Sequence, residues 1–271
     1  METIYFVIIF IILFTIYLHI LSELKKSNNL EIYESDYKSY IEFQETCLLK
    51  KPFITNFDKF EFNNSIAPIQ EFKIKDCLDK NKAVYLPYSN IDTLLKNDSK
   101  SHYYSENNYE FSNENENFYK FNPYLKPRFN TFSTFDYLFG SKNAFTNTKY
   151  HISSFMFLYV EEGSISIKMI PPKFEKKLDF KYDSENFEYV SEYDLWNSKE
   201  IQTLDFDIKK QNILFIPPYW IYSIKFGENA IVYSFRYHSI FNNILHIPKY
   251  CNKVFNQMEL PKNPASSTSD L

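Results

Sequence analysis

An almost unbroken run of apolar residues opens the chain, from Ile4 to Leu21. As a helix the run spans about 27 Å, just enough to cross the hydrocarbon core of a bilayer. A cleaved signal peptide would begin with basic residues and end at small ones, whereas Glu2 precedes this run and bulky residues fill it to its end. The run therefore predicts a transmembrane helix, with residues 1–24 as a membrane anchor.

The residues that flank the run indicate its orientation. Lys25 and Lys26 follow it directly, while the other flank carries only the α-amino group beside Glu2. Because positive residues favour the cytoplasmic end of a membrane helix, we expect the C-terminal part of the chain in the cytoplasm. The three cysteines form no CxxC pair, which is typical of free thiols in a reducing compartment. We therefore predict a single-pass membrane protein with a cytoplasmic domain.

Length and composition leave room for one folded domain beside the anchor. The chain has 271 residues, 44% of them hydrophobic, enough to bury one core. We predict a juxtamembrane linker at residues 25–35, the domain at residues 36–258 and a disordered tail at residues 259–271. The formal net charge of −4 supplies no basic field, so we expect no nucleic-acid partner.

The second half of the domain has the pattern of a β-barrel. Residues 153–160 and 164–169 flank a turn at Gly163, which predicts a β-hairpin. Several short strands flanked by helices are typical of a jelly roll. Beside the hairpin we predict strands at residues 53–55, 83–86, 213–216, 221–226 and 230–237, helices at 36–48, 90–96 and 241–255, an exposed loop at 105–117 and a charged insert at 173–212.

Three short motifs resemble the cupin-like JmjC hydroxylases, a group of iron and 2-oxoglutarate oxygenases. They are Thr148-x-x-His151-x-Ser153, Ile165-Ser-Ile-Lys168 and Pro217-Pro218-Tyr219-Trp220-x-Tyr222. The resemblance covers roughly residues 36–255. The stretch Tyr219 to Lys225 is more similar still to membrane-anchored cupin-like proteins of large DNA viruses. The resemblance implies a mainly β fold with flanking helices, a cupin-like double-stranded β-helix (jelly roll) carried on an N-terminal transmembrane helix.

The metal site that this resemblance implies has lost two of its ligands. Such a site needs two imidazoles and one carboxylate around the iron. The resemblance places His151 at the position of the first imidazole, Ser153 at that of the carboxylate and Tyr222 at that of the second imidazole. Serine has no acidic oxygen and a phenol is mostly protonated at neutral pH, so neither replaces the missing group. The same resemblance implies that Thr148 and Lys168 take the positions that would bind the keto acid.

Each of these positions also has an ordinary structural interpretation. A lone histidine at the start of a strand is commonly a core residue, and Lys168 on a polar strand face would point to solvent. Pro217, Pro218, Tyr219 and Trp220 are interpreted as structural residues that shape and pack the barrel.

The sequence therefore favours a membrane-anchored cupin-like domain with a degenerate metal site, a pseudoenzyme that binds or scaffolds in a viral or infected-cell membrane. We expect no cofactor, and as partners the membrane through residues 4–21, an unidentified protein and a possible second copy of the chain. Two alternatives stay open: an Fe(II)- and 2-oxoglutarate-dependent hydroxylase with an unusual ligand set, and a metal-free cupin that binds a small molecule or glycan. The chain contains no GxSxG, P-loop, GxGxxG or HExxH motif to support another enzyme class.

Overall fold

A computed structural model describes residues 2–59, 69–77 and 83–259 of the chain. The predicted tail lies outside these residues apart from Glu259. The helices are α1 Glu2–Leu24, α2 Tyr40–Leu48, α3 Tyr88–Asn97, α4 Tyr109–Glu114, α5 Glu116–Tyr119, α6 Asn122–Leu125 and α7 Ile240–Glu259, with a 3-10 helix at Pro172–Lys177. The strands are β1 Tyr33–Asp36, β2 Phe53–Asn56, β3 Glu71–Asp76, β4 Ala83–Pro87, β5 Tyr103–Ser105, β6 Asn130–Gly140, β7 Thr148–His151, β8 Phe155–Glu162, β9 Ser164–Ile170, β10 Phe180–Asp183, β11 Glu188–Ser191, β12 Leu204–Lys209, β13 Asn212–Ile216, β14 Ile221–Phe226 and β15 Ile231–Ser239.

These strands form two sheets. The nine-stranded sheet has the order β1-β2-β13-β8-β15-β6-β5-β3-β4, and the six-stranded sheet has the order β10-β11-β7-β14-β9-β12. Eight strands, β6 to β9 and β12 to β15, make two antiparallel four-stranded arrays, β13-β8-β15-β6 and β7-β14-β9-β12. This is the strand order of a double-stranded β-helix, a jelly roll. The predicted fold, mainly β with flanking helices and an apolar N-terminal helix, is confirmed.

Strand β8 separates the two main cores of the molecule. Successive side chains of a strand point to opposite faces, so a strand buried on both faces is apolar throughout. Met156 and Leu158 point into the space between the two sheets, the lumen, whereas Phe157 and Tyr159 point to the outer face of the nine-stranded sheet. The predicted hairpin is present: Gly163, with φ of 66°, makes the reversal into β9.

The outer core of the nine-stranded sheet is built from aromatic rings. Helix α2 packs there through Phe43, whose ring is stacked 5.5 Å from that of Phe157. Helix α5 adds Phe118, stacked 5.2 Å from Phe135. Aromatic residues make up 20% of the chain, and these packing roles account for many of them without a functional explanation.

One sequence-based prediction about local structure is wrong, and a second left out three strands. The expected exposed loop at residues 105–117 contains α4 and the first half of α5, because Phe118 is buried in the outer core and draws this segment onto the sheet. The expected charged insert at residues 173–212 contains β10, β11 and β12. In β12 the apolar residues Leu204, Phe206 and Ile208 alternate with charged ones, so one face packs against the lumen while the other stays polar.

Helix α1 exposes its apolar span. It is long and apolar enough over Thr3–Leu24 to cross a membrane, and none of that span is buried. A signal sequence near an N-terminus would meet the same description. The following segment, predicted as a linker, already includes β1, which pairs in parallel with β2.

Candidate functional site

Five polar side chains meet at one end of the lumen, here called the polar end. They are Lys149 and His151 on β7, Glu188 on β11, Tyr222 on β14 and Arg236 on β15, each at most 4% exposed. The rest of the lumen is filled by apolar side chains such as Ile167, Leu214 and Val232. The polar end is therefore the part of the lumen where chemistry or specific binding could occur.

Strand alternation and register bring these residues together. Lys149 lies opposite Tyr222 on β14, and His151 lies opposite Glu188 on β11. Tyr150, between Lys149 and His151, points away from the lumen and stacks 4.6 Å from Tyr189. Lysine and histidine two residues apart therefore share the lumen face of β7.

A buried ion network occupies the polar end. The Lys149 Nζ atom lies 2.5 Å from Glu106 Oε2 and 3.3 Å from Glu188 Oε1. The Arg236 Nη2 atom lies 2.8 Å from Glu188 Oε2, and Lys75 Nζ lies 2.8 Å from Glu106 Oε1. The two carboxylates thus bridge three cations and offset most of their positive charge inside the protein.

Mutual attraction keeps these groups charged despite their burial. Burial by itself would raise the pKa of Glu106, but the charges of Lys149 and Lys75 lower that pKa below its ordinary value. Burial would lower the pKa of Lys149, yet Glu106 and Glu188 raise it well above the ordinary value. Both side chains are therefore ionised at neutral pH, and neither is a candidate proton donor or acceptor.

His151 has one nitrogen engaged and one without a partner. Burial and the positive charge of Arg236 hold its pKa well below the ordinary value, so the imidazole is neutral. Its Nε2 atom lies 3.0 Å from the carbonyl oxygen of Ile216 and must donate, because a carbonyl only accepts. Nδ1 is then the acceptor, and it has no hydrogen-bond partner among the described residues.

The other two ligand positions are taken up by local contacts. Ser153 Oγ lies 3.3 Å from Nε2 of His238 on β15. The hydroxyl of Tyr222 donates to Met156 Sδ at 3.5 Å. Burial raises the pKa of Tyr222 to about 12, so the phenol is protonated at neutral pH. Tyr222 faces the lumen as His151 does, but it offers no anionic oxygen to a cation.

These residues do not fit a facial iron site. Such a site needs two imidazoles and a carboxylate around one point. In the part of the chain that the structure describes, no group of three or more His, Cys, Asp or Glu residues is placed to hold a metal ion. Glu188, the carboxylate opposite His151, is already bound by Lys149 and Arg236. No reaction step through a metal follows from this geometry.

The two positions expected to bind a keto acid lie outside the polar end. Thr148 points to the other face of β7 and donates its hydroxyl to the Tyr193 carbonyl oxygen at 2.6 Å. Lys168 lies on the outer face of β9, where its Nζ atom is 3.3 Å from Asp205 and 5.4 Å from the centre of the Trp196 ring. Neither side chain is brought together with His151.

The Pro217 to Trp220 segment forms the turn that closes the lumen beside His151. Tyr219 adopts a left-handed conformation with φ of 68°, and its backbone N–H donates to the carbonyl oxygen of His151 at 3.1 Å. Trp220 is fully buried among the apolar residues of the lumen, whereas Tyr219 lies in a separate cluster on the outer face of the six-stranded sheet. Pro217 and Pro218 are both buried.

Sequence reasoning missed most of the polar end. Lys149 and Arg236 could have been noticed, since each is a charged residue inside an otherwise buried strand. Glu106 and Glu188 carry no such signal, because their partners Lys149 and Arg236 lie 43 and 48 residues away along the chain.

Comparison with known proteins finds similarity to solved structures. No protein-family model and no curated protein matches the chain. Two solved structures of YcfD from Escherichia coli resemble it at 15% sequence identity. One has a TM-score of 0.48, and the alignment covers 86% of this chain and 61% of the YcfD chain. The other is described as a ribosomal oxygenase in complex with cobalt and 2-oxoglutarate. It has a TM-score of 0.46, and the alignment covers 82% of this chain and 57% of the YcfD chain.

The chain thus spans about three fifths of the length of those two structures. The fold assignment rests on the strand order itself. One expectation is overturned. We predicted that the domain takes no cofactor, but a structure similar to it holds cobalt and 2-oxoglutarate, so that prediction is contradicted.

Proposed function

We propose that this chain is a membrane-anchored jelly-roll protein that works by binding a protein partner rather than by hydroxylation. The observation that carries the proposal is the ion network of Glu106, Lys149, Glu188 and Arg236, which fills the polar end with charges that satisfy one another. Oxygenase chemistry needs open coordination positions around a metal. Buried ion pairs such as these hold their side chains in one arrangement and do not exchange protons.

Packing of the lumen argues against the small-molecule alternative. A ligand pocket is a cavity of about 300–1,000 Å³ with a few polar groups directed into it. Here the lumen beyond the polar end is occupied by the protein's own side chains, among them Ile167, Leu214 and Trp220, all fully buried. The apolar part of the lumen therefore supports the fold, and the candidate binding surface lies at the polar end of the barrel.

A polar hollow at the polar end is the candidate binding surface. It has a volume of 300 Å³ and is lined on its open side by Lys73, Lys181 and Asp183, with Glu106 and Lys149 at its floor. Charges of both signs around a shallow hollow suit a polar, charged segment of a partner protein. A second copy of the chain is a further candidate partner.

Membrane attachment through residues 4–21, with the domain in the cytoplasm, completes the proposal. It is supported by the length and apolar composition of α1 and by the position of Lys25 and Lys26. The setting in a viral or infected-cell membrane is the most specific part of the proposal. It is supported by the resemblance at Tyr219 to Lys225 and by a composition that is typical of an AT-rich coding sequence.

Restoring the two absent ligands tests the proposal. In the full chain, Ser153→Asp with Tyr222→His adds a carboxylate and an imidazole to the lumen that holds His151. We expect this double variant to bind Co(II) at least about tenfold more tightly than the wild type, because three protein ligands then replace one. Equilibrium dialysis and the visible absorption of bound Co(II) measure the difference.

The matched control is Ser153→Asn with Tyr222→Phe, which keeps the shapes without adding a ligand. It should bind Co(II) no better than the wild type. A wild-type chain that binds Co(II) as tightly as the ligand-restored variant would contradict the proposal and favour the hydroxylase with an unusual ligand set.

A further inference from the structure

The last turn of α1 is fastened to the domain. Glu23 Oε1 accepts hydrogen bonds from Ser239 Oγ at 2.6 Å and from Ser154 Oγ at 3.1 Å. Its other oxygen lies 3.7 Å from Nζ of Lys50, a lysine that is only 2% exposed. A buried cation that depends on Glu23 makes this attachment part of the folded structure rather than a passing contact.

The attachment reaches into the apolar run itself. The His19 ring stacks 4.3 Å from Phe241 at the start of α7. His19 lies within the run of residues 4–21, and only about 3 Å of helix separates it from the end of that run. A domain that contacts α1 at His19 has no room to stand away from a bilayer that α1 crosses.

Exposed apolar side chains surround this contact. Ile41 and Leu48 on α2, Phe129 before β6 and Ile240 on α7 are 59%, 51%, 66% and 45% exposed. We call these four residues, together with Phe241, the α1-proximal surface. Four of the five, all except Ile240, line a groove of 400 Å³ whose walls also include His19.

Phe129 has two energetically unfavourable features in water, its backbone conformation and its exposed ring. Its φ of 59° places a non-glycine residue in the left-handed region, which is strained for a bulky side chain. The strain holds a mostly exposed ring beside the membrane helix, 6.4 Å from His19 and 6.0 Å from Phe241. The Phe129 carbonyl also accepts the backbone N–H of Ile240 at 3.0 Å, which fixes the turn against α7.

Positive charge borders the apolar residues. Arg128 precedes Phe129 and lines the same groove, while Lys25 follows the last residue of α1. The groove also contains two acidic residues, Glu45 and Glu23, of which Glu23 pairs with Lys50. Apolar side chains with arginine or lysine beside them are typical of protein surfaces that lie in the headgroup region of a bilayer.

We propose that the α1-proximal surface lies in the headgroup region of the same bilayer that α1 crosses, so that the domain rests on the membrane in one fixed orientation. The proposal rests on the membrane anchoring proposed above. The bilayer is the partner of this surface because the surface adjoins residues 19–23 of α1. A surface this close to a membrane-spanning helix contacts lipid. The polar hollow would then keep a constant direction relative to the membrane.

Tryptophan quenching by brominated lipid tests this orientation. The full chain carrying Phe129→Trp is placed in vesicles of phosphatidylcholine that contain about 20 mol% phosphatidylserine. Bromine on the upper acyl chain should quench the fluorescence of the added tryptophan about twofold, since interfacial residues lie about 5–10 Å deep. Tyr85→Trp is the control, because Tyr85 is 62% exposed on β4 at the far edge of the nine-stranded sheet. Its added fluorescence should be unaffected.

Two further arms separate the possible failures. If alkaline washing releases the chain from the vesicles, the anchoring itself is wrong and the orientation falls with it. If the chain stays bound but the Phe129→Trp and Tyr85→Trp signals are quenched equally, or neither is quenched, the orientation is wrong while the anchor stands. Should Phe129→Trp fail to fold, Ile41→Trp takes its place with the same expected result.

Discussion

Replacing Glu188 with glutamine is expected to lower the free energy of unfolding by about 3–5 kcal/mol, because it removes one partner from a buried pair. Glutamine keeps the shape of the side chain but leaves Arg236 without its carboxylate at 2.8 Å and Lys149 with one carboxylate instead of two. Guanidinium unfolding of the full chain in detergent micelles, followed by circular dichroism, measures the loss.

Glu228→Gln is the matched control for this change. Glu228 pairs with Lys142 at 3.1 Å, but both side chains are more than half exposed. Water screens such a pair, so the control should change the free energy of unfolding by less than about 1 kcal/mol. A loss from Glu188→Gln as small as that of the control would mean that the network does not hold the polar end together.

Replacing Trp220 with alanine is expected to lower the free energy of unfolding by about 3–5 kcal/mol, because it leaves a large cavity in the packed lumen. Trp220 is fully buried among apolar residues such as Met156 and Ile216. The same unfolding measurement applies. Tyr85→Ala removes an exposed ring and should cost less than about 1 kcal/mol. If the loss from Trp220→Ala is no larger, the ring does not pack inside the barrel.

The local pattern of the sequence was enough to predict the jelly roll. The apolar run of β8, the turn at Gly163 and the alternation in β9 specify a hairpin through interactions only a few residues apart. The β12 strand was missed although Leu204, Phe206 and Ile208 alternate in the required way, since the charged residues between them dominate the local composition. The helix of residues 109–114 was missed because it depends on burial against a distant strand.

The candidate site was only partly predictable for the same reason. Alternation from His151 places Lys149 on the same face of β7 once that face is known to be the lumen. The motif resemblance placed Lys168 beside the keto acid, whereas the alternation of Ile167 into the lumen puts Lys168 on the outer face with Asp205. The pairing of Lys149 with Glu106 joins residues that only the folded sheets bring together.

Consumption of 2-oxoglutarate tests the central claim most directly. The full chain in detergent micelles is supplied with Fe(II), ascorbate, oxygen and 2-oxoglutarate, and succinate is measured against heat-denatured protein. Our account predicts no succinate above that background, because Ser153 and Tyr222 do not complete a metal site with His151 and Glu188 is held by Lys149 and Arg236. Oxygen-dependent succinate formation that is lost in His151→Ala would contradict it.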